Sequence, residues 1–353
     1  MTKTFAVIPA GGMGTRLWPR SRASTPKHVL PLGGDHRPLL RATYDRAKSL
    51  ADEVFILTEQ RQQPIIESVL PEVDSGHLIL EPTARGTTNA YGLATLILMA
   101  RDRSAVMIGM PADHVVHGSA KVAKVVRAAV RAAVASNCLV TVGLKPTFPS
   151  TGLGYIHAPG RVAGGTLRVR RFIEKPDLAS ARKYVRAGGY YWNLAWFTWR
   201  VEVFINELAL HAPKHLAGLR RVVAARESGD EAAAARLYNR LPVEVVDRSV
   251  MEKTDKLLLV PADFDWADIG SWSELGDRVH ADDQGNSVQG ESVLVDTRGS
   301  LILGDRRLIA TIGLEDMIIV DTEDALLVVP RSRAQDVRKV VEALRRARKT
   351  RYL

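Results

Sequence analysis

The chain has 353 residues, 46% hydrophobic and 25% charged, which is enough to bury the core of a large domain and a smaller one. A single cysteine, Cys138, excludes an intrachain disulfide framework and favours a reducing, cytoplasmic setting; no apolar run approaches the ~20 residues of a membrane span, and the opening run Phe5–Ala10 is too short for a secretory leader. The formal charge is +10, but Arg331–Leu353 carries +7 of it, so the excess reads as one solvated helix face and argues against a nucleic-acid partner.

In chain order, "FAVIPA", "EVFILT", "HLILE", "AVMIGMP" and "CLVTVGL" read as buried strands. Between them lie the helical patterns "LLRATYDRAKSLA", "RQQPIIESVLPEV", "TNAYGLATLILMARD" and "AKVAKVVRAAVRAAVAS". Such alternation implies an α/β fold with a mostly parallel sheet. "GYIHA" and "LRVRRFIEKP" are expected to be strands joined by a turn at Gly164 and Gly165. "YYWNLAWFTWR" reads as an aromatic strand whose Trp192, Trp196, Phe197 and Trp199 pack the core. Helices are expected from about Val201 to Leu241, then the strand "KLLLVPA". After Gly285 short β runs with turns every ~10 residues indicate an all-β module, closed by a helix from Arg331 to Lys349. The expected domains are therefore 1–284 and 285–353.

The first strand runs directly into "AGGMGTRLWPRSRASTPKHVLPL". Gly11, Gly12 and Gly14 can turn sharply and present backbone N–H groups to phosphate oxygens. Arg16 adds a planar fork, Lys27 a point charge, and Pro19 and Pro26 stiffen the loop. The loop is neither GxxxxGK[ST] nor a complete GxGxxG, so the anion is held in another way.

The whole string resembles the signature of the sugar-1-phosphate nucleotidylyltransferases, and "RLWPRSR…PK" resembles their mannose-1-phosphate guanylyltransferase branch. "LEPTARGTTNA", "MPADHVV", "TGLGYI", "FIEKP", "YYWNLAWF", "VMEKT" and "FDWADIGSW" follow in the family's order across nearly the whole chain. The resemblance implies a Rossmann-like nucleotidyltransferase domain and a small left-handed β-helix-like C-terminal module with a terminal helix. A homodimer is also expected.

The implied reaction joins GTP and α-D-mannose 1-phosphate to give GDP-mannose and pyrophosphate. Ala10, Gly11, Gly12, Gly14, Thr15 and Arg16 would hold the nucleotide, and Arg16 and Lys27 would be catalytic. The nucleophile is already an anionic phosphate oxygen, so positioning and charge neutralisation suffice. Two polyanions must meet, so Mg²⁺ is expected on Asp113 and Asp268. His114, beside Asp113, is expected to be structural. Gly154, Glu174, Lys175 and Asn193 would hold the sugar phosphate, Asn193 offering both donor and acceptor to a hydroxyl. Glu81 would accept from guanine N1–H and N2–H, with backbone near Gly86 in support.

Three positions depart from the family's pattern: His28 follows the "PK" lysine, Gly86 replaces an asparagine, and Ala195 stands where a glycine is usual. These bear on substrate choice, leaving another sugar 1-phosphate (manno-heptose or glucose), another NTP, or a non-catalytic nucleotide-sugar sensor as rival readings. A fused phosphomannose isomerase is not expected, because nothing of cupin length follows Leu353.

Overall fold

The structure is a computed structural model that describes residues 2–34, 36–160 and 164–353. The first strands and helices are β1 (Thr4–Pro9), α1 (Leu39–Lys48), β2 (Glu53–Glu59), α2 (Gln63–Val69), β3 (Leu78–Glu81), α3 (Thr87–Arg101), β4 (Val106–Gly109) and β5 (His114–His117). Next come α4 (Ser119–Ser136), β6 (Leu139–Leu144), β7 (Tyr155–His157), β8 (Leu167–Arg168), β9 (Arg171–Ile173), α5 (Leu178–Ala187) and β10 (Tyr190–Arg200). Three helices follow, α6 (Val201–His211), α7 (Pro213–Glu227) and α8 (Glu231–Tyr238), then β11 (Leu257–Ala262), β12 (Asp265–Asp268) and α9 (Trp272–Gly276). The chain closes with β13 (Ser287–Gln289), β14 (Ser292–Val295), β15 (Leu301–Leu303), β16 (Ile309–Ile312), β17 (Met317–Asp321), β18 (Leu326–Pro330) and α10 (Val337–Arg346). Among the described residues no helix is long and apolar enough to cross a membrane.

Contacts divide the chain into two units, neither contiguous in sequence. The first comprises 1–11, 43–112 and 117–265; the second comprises 12–42, 113–116 and 266–353. The first unit holds a sheet in the order β3-β2-β1-β4-β10-β6-β11-β8, with β7 on β10 and β9 on β7. The β3-β2-β1-β4 side is parallel, as is β6 with β11, whereas β10 runs antiparallel to both β4 and β6. These strands are near-continuous apolar runs because helices cover the sheet, and Phe5, Val7, Phe55, Tyr91, Phe197, Trp199 and Phe204 join one core. Trp192 and Trp196 are buried too, so the aromatic strand is core.

In the second unit β13, β15 and β17 stack in parallel, with β18 antiparallel on β17, and β14 pairs in parallel with β16. Successive coils of this kind make a β-helix-like module. Its inward Leu301, Leu303, Ile318 and Val320 share one core with Leu17, Trp18, Leu30, Leu32, Trp272, Val337 and Val341. Trp18 Nε1 donates to Tyr352 O (2.8 Å), and Trp272 Nε1 donates to Trp18 O (2.8 Å).

Local readings differ at a few places. "LRVRRFIEKP" is broken into β8 and β9, which pair with different strands, β11 and β7. The expected terminal helix begins as a 3₁₀ turn, Arg331–Asp336, before α10. The β5–β12 pair was not anticipated; four-residue strands leave little periodicity to read.

Candidate functional site

In the second unit the glycine loop runs into a 3₁₀ turn, Thr15–Leu17, after Gly14. Gly14 is left-handed (φ 66°), and a Cβ there would stand 2.5 Å from Lys27 Cβ, so only glycine lets these two backbones approach. A Cβ at Gly11 or Gly12 would meet nothing within 4 Å, although Gly11 O already accepts from Gln62 Nε2 (3.3 Å). Ala10, by contrast, donates its N–H to Leu57 O, and its carbonyl accepts from Thr58 Oγ1, so its backbone serves the sheet.

Pro26 holds the chain extended and Lys27 opens a short 3₁₀ turn that buries its side chain. Asp113 precedes β5 and Asp268 ends β12; these strands pair, and Lys27 Nζ bridges the two carboxylates at 2.8 Å (Asp113 Oδ2) and 2.6 Å (Asp268 Oδ1). Burial opposes the lysine's charge, but the two carboxylates outweigh it and hold the ammonium above its ordinary value. Burial likewise opposes the Asp113 charge, and Lys27 overrides it, holding that carboxyl well below its usual range.

Two oxygen ligands therefore converge on one cation position, at present filled by an ammonium. The hard, all-oxygen donor pair suits a divalent ion such as Mg²⁺. Among the described residues no group of three or more His, Cys, Asp or Glu side chains gathers for a metal, so phosphate and water would complete the shell. His114 is buried with its ring edge-on to Trp266 (5.1 Å), a packing role. His28 is also buried, and desolvation pushes its imidazole down to about 4, so it is neutral.

Arg16 is half-buried beside Gly270: a Cβ at Gly270 would lie 3.2 Å from Arg16 Nη1 and 3.1 Å from Glu274 Oε2. Glu274, which the sequence reading passed over, accepts from Gly270 N (2.7 Å).

The first unit gathers Gly154, Glu174 and Asn193. A Cβ on Gly154 would stand 2.7 Å from Glu174 Oε2 and 3.3 Å from Asn193 Cβ, and Asn193 N donates to Gly154 O (2.8 Å). Lys175 Nζ pairs with Glu174 Oε1 at 3.1 Å and is largely exposed. Two non-glycine residues here are left-handed, Lys175 (φ 47°) and Ala195 (φ 53°), the second within a register shift of β10. Such strain clusters where a site needs it.

The expectation for Asn193 requires a correction. Its Oδ1 accepts from Thr141 Oγ1 (3.2 Å) and Ala195 N (3.0 Å), and its Nδ2 donates to Asp247 Oδ1 (3.0 Å). Both acceptor lone pairs are spent, so only one N–H remains for a ligand. Asp247, absent from the sequence reading, sits on a π-helical turn, Asp247–Met251, a feature common at functional sites.

Elsewhere in this unit Glu81 ends β3 buried, its Oε1 accepting from Tyr238 Oη at 2.5 Å. Desolvation pushes its carboxyl up to about 7; the Tyr238 hydrogen bond and Arg226 work the other way, while Glu59, its register partner on β2, adds to the rise. Gly86 (φ 82°) precedes α3, and a Cβ there would fall 2.1 Å from Glu244 O. The close approach it permits is thus to this chain's own backbone.

Comparison with known proteins follows from these strings. The family model described as "Nucleotidyl transferase" matches residues 5–285, and a "MannoseP isomerase/GMP-like beta-helix domain" matches residues 290–344. An Escherichia coli mannose-1-phosphate guanylyltransferase is 36% identical over 98% of this chain and 75% of its own length. The chain belongs to the mannose-1-phosphate guanylyltransferase family of nucleotidyl transferases. Another relative, the xanthan biosynthesis protein XanB of Xanthomonas campestris, is 37% identical over 98% of this chain and 74% of its own. A crystal structure described as a mannose-1-phosphate geranyltransferase from Thermus thermophilus superposes with a TM-score of 0.86 at 33% identity, covering 98% of this chain and all of that one. This family member thus carries both the nucleotidyl transferase region and the β-helix module.

Proposed function

We propose that this chain transfers GMP from GTP to α-D-mannose 1-phosphate, giving GDP-mannose and pyrophosphate. The convergence of Asp113 and Asp268 on the Lys27 cation supports the reading, because a reaction that brings two phosphates together needs such charge neutralisation. A phosphate oxygen of the sugar phosphate attacks the α-phosphorus, the bond to the bridging oxygen breaks, and its electron pair leaves with pyrophosphate. No proton need move, which agrees with a chain lacking an evident nucleophile–base pair. Arg16 takes up charge on the departing pyrophosphate, and Lys27 supplies a cation to the reacting phosphates. Mg²⁺, when held by Asp113 and Asp268, neutralises phosphate oxygens and lowers their mutual repulsion. Glu174, Lys175 and Asn193 hold the sugar phosphate, and Glu81 accepts from the guanine edge. The same reading makes the protein a cytoplasmic homodimer; the exposed Val293, Val295 and Ile312, which share one face of the β14–β16 pair, support a second copy.

The test is a coupled pyrophosphate-release assay with GTP, ATP, UTP and dTTP, each against mannose, glucose and manno-heptose 1-phosphates. GTP with mannose 1-phosphate should give the highest kcat/KM. A different best pair, or no turnover, would overturn the proposal. Light scattering coupled to gel filtration tests the dimer.

A further inference from the structure

Asn193 alone cannot both donate to and accept from a sugar hydroxyl. A hexose hydroxyl is both donor and acceptor, so a site that reads it must offer acceptors. Asn193 has none left, because Thr141 and Ala195 occupy its carbonyl oxygen. Glu174 spends Oε1 on Lys175 and keeps Oε2 beside Gly154. A further acceptor is Asp247: Oδ1 takes the Asn193 amide, and Oδ2 has no hydrogen-bonding side-chain partner among the described residues.

We propose, resting on the reading that a sugar phosphate binds here, that Asp247 is a sugar-recognition residue whose carboxyl accepts from a hexose hydroxyl that Asn193 cannot. Three observations support it. The side chain is half-buried, so it is sheltered yet reachable. It opens a π-helical turn, a feature frequent at functional sites. Burial, with the Glu174 charge adding, pushes its carboxyl up to about 7. A pair of carboxyls so placed is costly when empty and is relieved by hydroxyl donors. By donating to Asp247, Asn193 is also locked in one amide orientation, its second N–H left for the ligand.

The experiment is steady-state kinetics of Asp247→Asn, Asp247→Ala and Asp247→Glu with full-length protein, varying mannose 1-phosphate and GTP separately. Thermal melts verify folding. Asp247→Asn keeps the shape and loses the charged acceptor. It should raise KM for mannose 1-phosphate by roughly tenfold, as for loss of a hydrogen bond to a charged group, and leave KM for GTP within about twofold. Preference for mannose over glucose 1-phosphate should narrow in Asp247→Ala, and Asp247→Glu should recover part of the affinity. An unchanged sugar KM in a folded Asp247→Asn overturns the inference, as does an equal rise in both KM values. Absence of mannose 1-phosphate turnover in the parent protein would instead overturn the proposed function.

Discussion

Lys27 Nζ lies 2.6 Å from Asp268 Oδ1, and the same ammonium reaches Asp113 at 2.8 Å, so one lysine neutralises two carboxylates from distant parts of the chain. Lys27→Met would leave two carboxylates facing each other without a cation. Removing one partner of a buried ionic group costs about 3 kcal/mol, towards the low end because both carboxylates are a third exposed. Urea unfolding should show that loss. Adding Mg²⁺ should recover part of it in the variant and change the parent little. A variant as stable as the parent, or one indifferent to Mg²⁺, would refute this account.

Asp113→Asn and Asp268→Asn each keep shape and remove one charge from the cation position. Each should lower kcat at saturating Mg²⁺ by about 100-fold, the scale of a lost charge-stabilising group, while the melting midpoint moves less than in Lys27→Met. Near-parental rates in both would remove them from the reaction.

Arg16 stands against Gly270, where no side chain intervenes. Arg16→Ala should cost about 3 kcal/mol of transition-state stabilisation, seen mainly in kcat. A rise in KM for GTP at constant kcat would reduce Arg16 to a binding role.

Glu81 should make GTP use pH-dependent. Its carboxyl, near 7 in the free protein, must be ionised to accept from both guanine donors. KM for GTP should therefore fall as pH rises from 6 to 8 and flatten above. Tyr238, Glu59 and Arg226 are the polar neighbours that set this window. Because the folded-state value is raised, the native protein holds more protons than the unfolded chain between about 4.5 and 7, so this group's contribution to stability declines across that range. Glu81→Gln should abolish the slope in KM and narrow the preference for GTP over ATP. A flat parental profile would contradict the assignment.

Ala195 is held left-handed at φ 53° inside a β-strand. The conformation costs a Cβ-bearing residue about 1–2 kcal/mol, part of which glycine returns as unfolded-chain entropy. Ala195→Gly should raise the unfolding free energy by up to about 1 kcal/mol in urea titration and keep the Asn193 contacts. A destabilised variant would mean that the methyl group packs more than it strains.

The parallel sheet, the aromatic strand and the family's ordered strings were legible because each is a local pattern: a run, an alternation or a spacing. The Lys27 bridge was half legible. Its members stood out singly, but nothing in three separate strings says that they meet. Glu81 shows the limit on the other side: its partner Tyr238 lies 157 residues away in an unremarkable helix, and no motif marks the pair. Asp247 escaped for the same reason, being one aspartate at the start of a helical turn. Asn193 stood out in its string but was given a free acceptor, since the claims of Thr141 and Ala195 on its carbonyl depend on a β-bulge that no period announces. Ala195 looked like a substrate-altering departure; its positive φ gives the position a backbone reason to prefer glycine.

The bond from Trp18 to Tyr352 spans 334 residues, and Leu17 and Trp18 share their core with Val337 and Val341. A ribosome makes the glycine loop some 334 residues ahead of Tyr352, and so well before its packing partners in α10. The segment carrying Arg16 and Lys27 must therefore wait, unburied, while the intervening residues are made before its surroundings exist. A nascent chain halted short of α10 would have emitted Arg16 and Lys27 and still lack the Val337 and Val341 that pack with Leu17 and Trp18 beside them, so a truncated translation product should hold that loop unsupported.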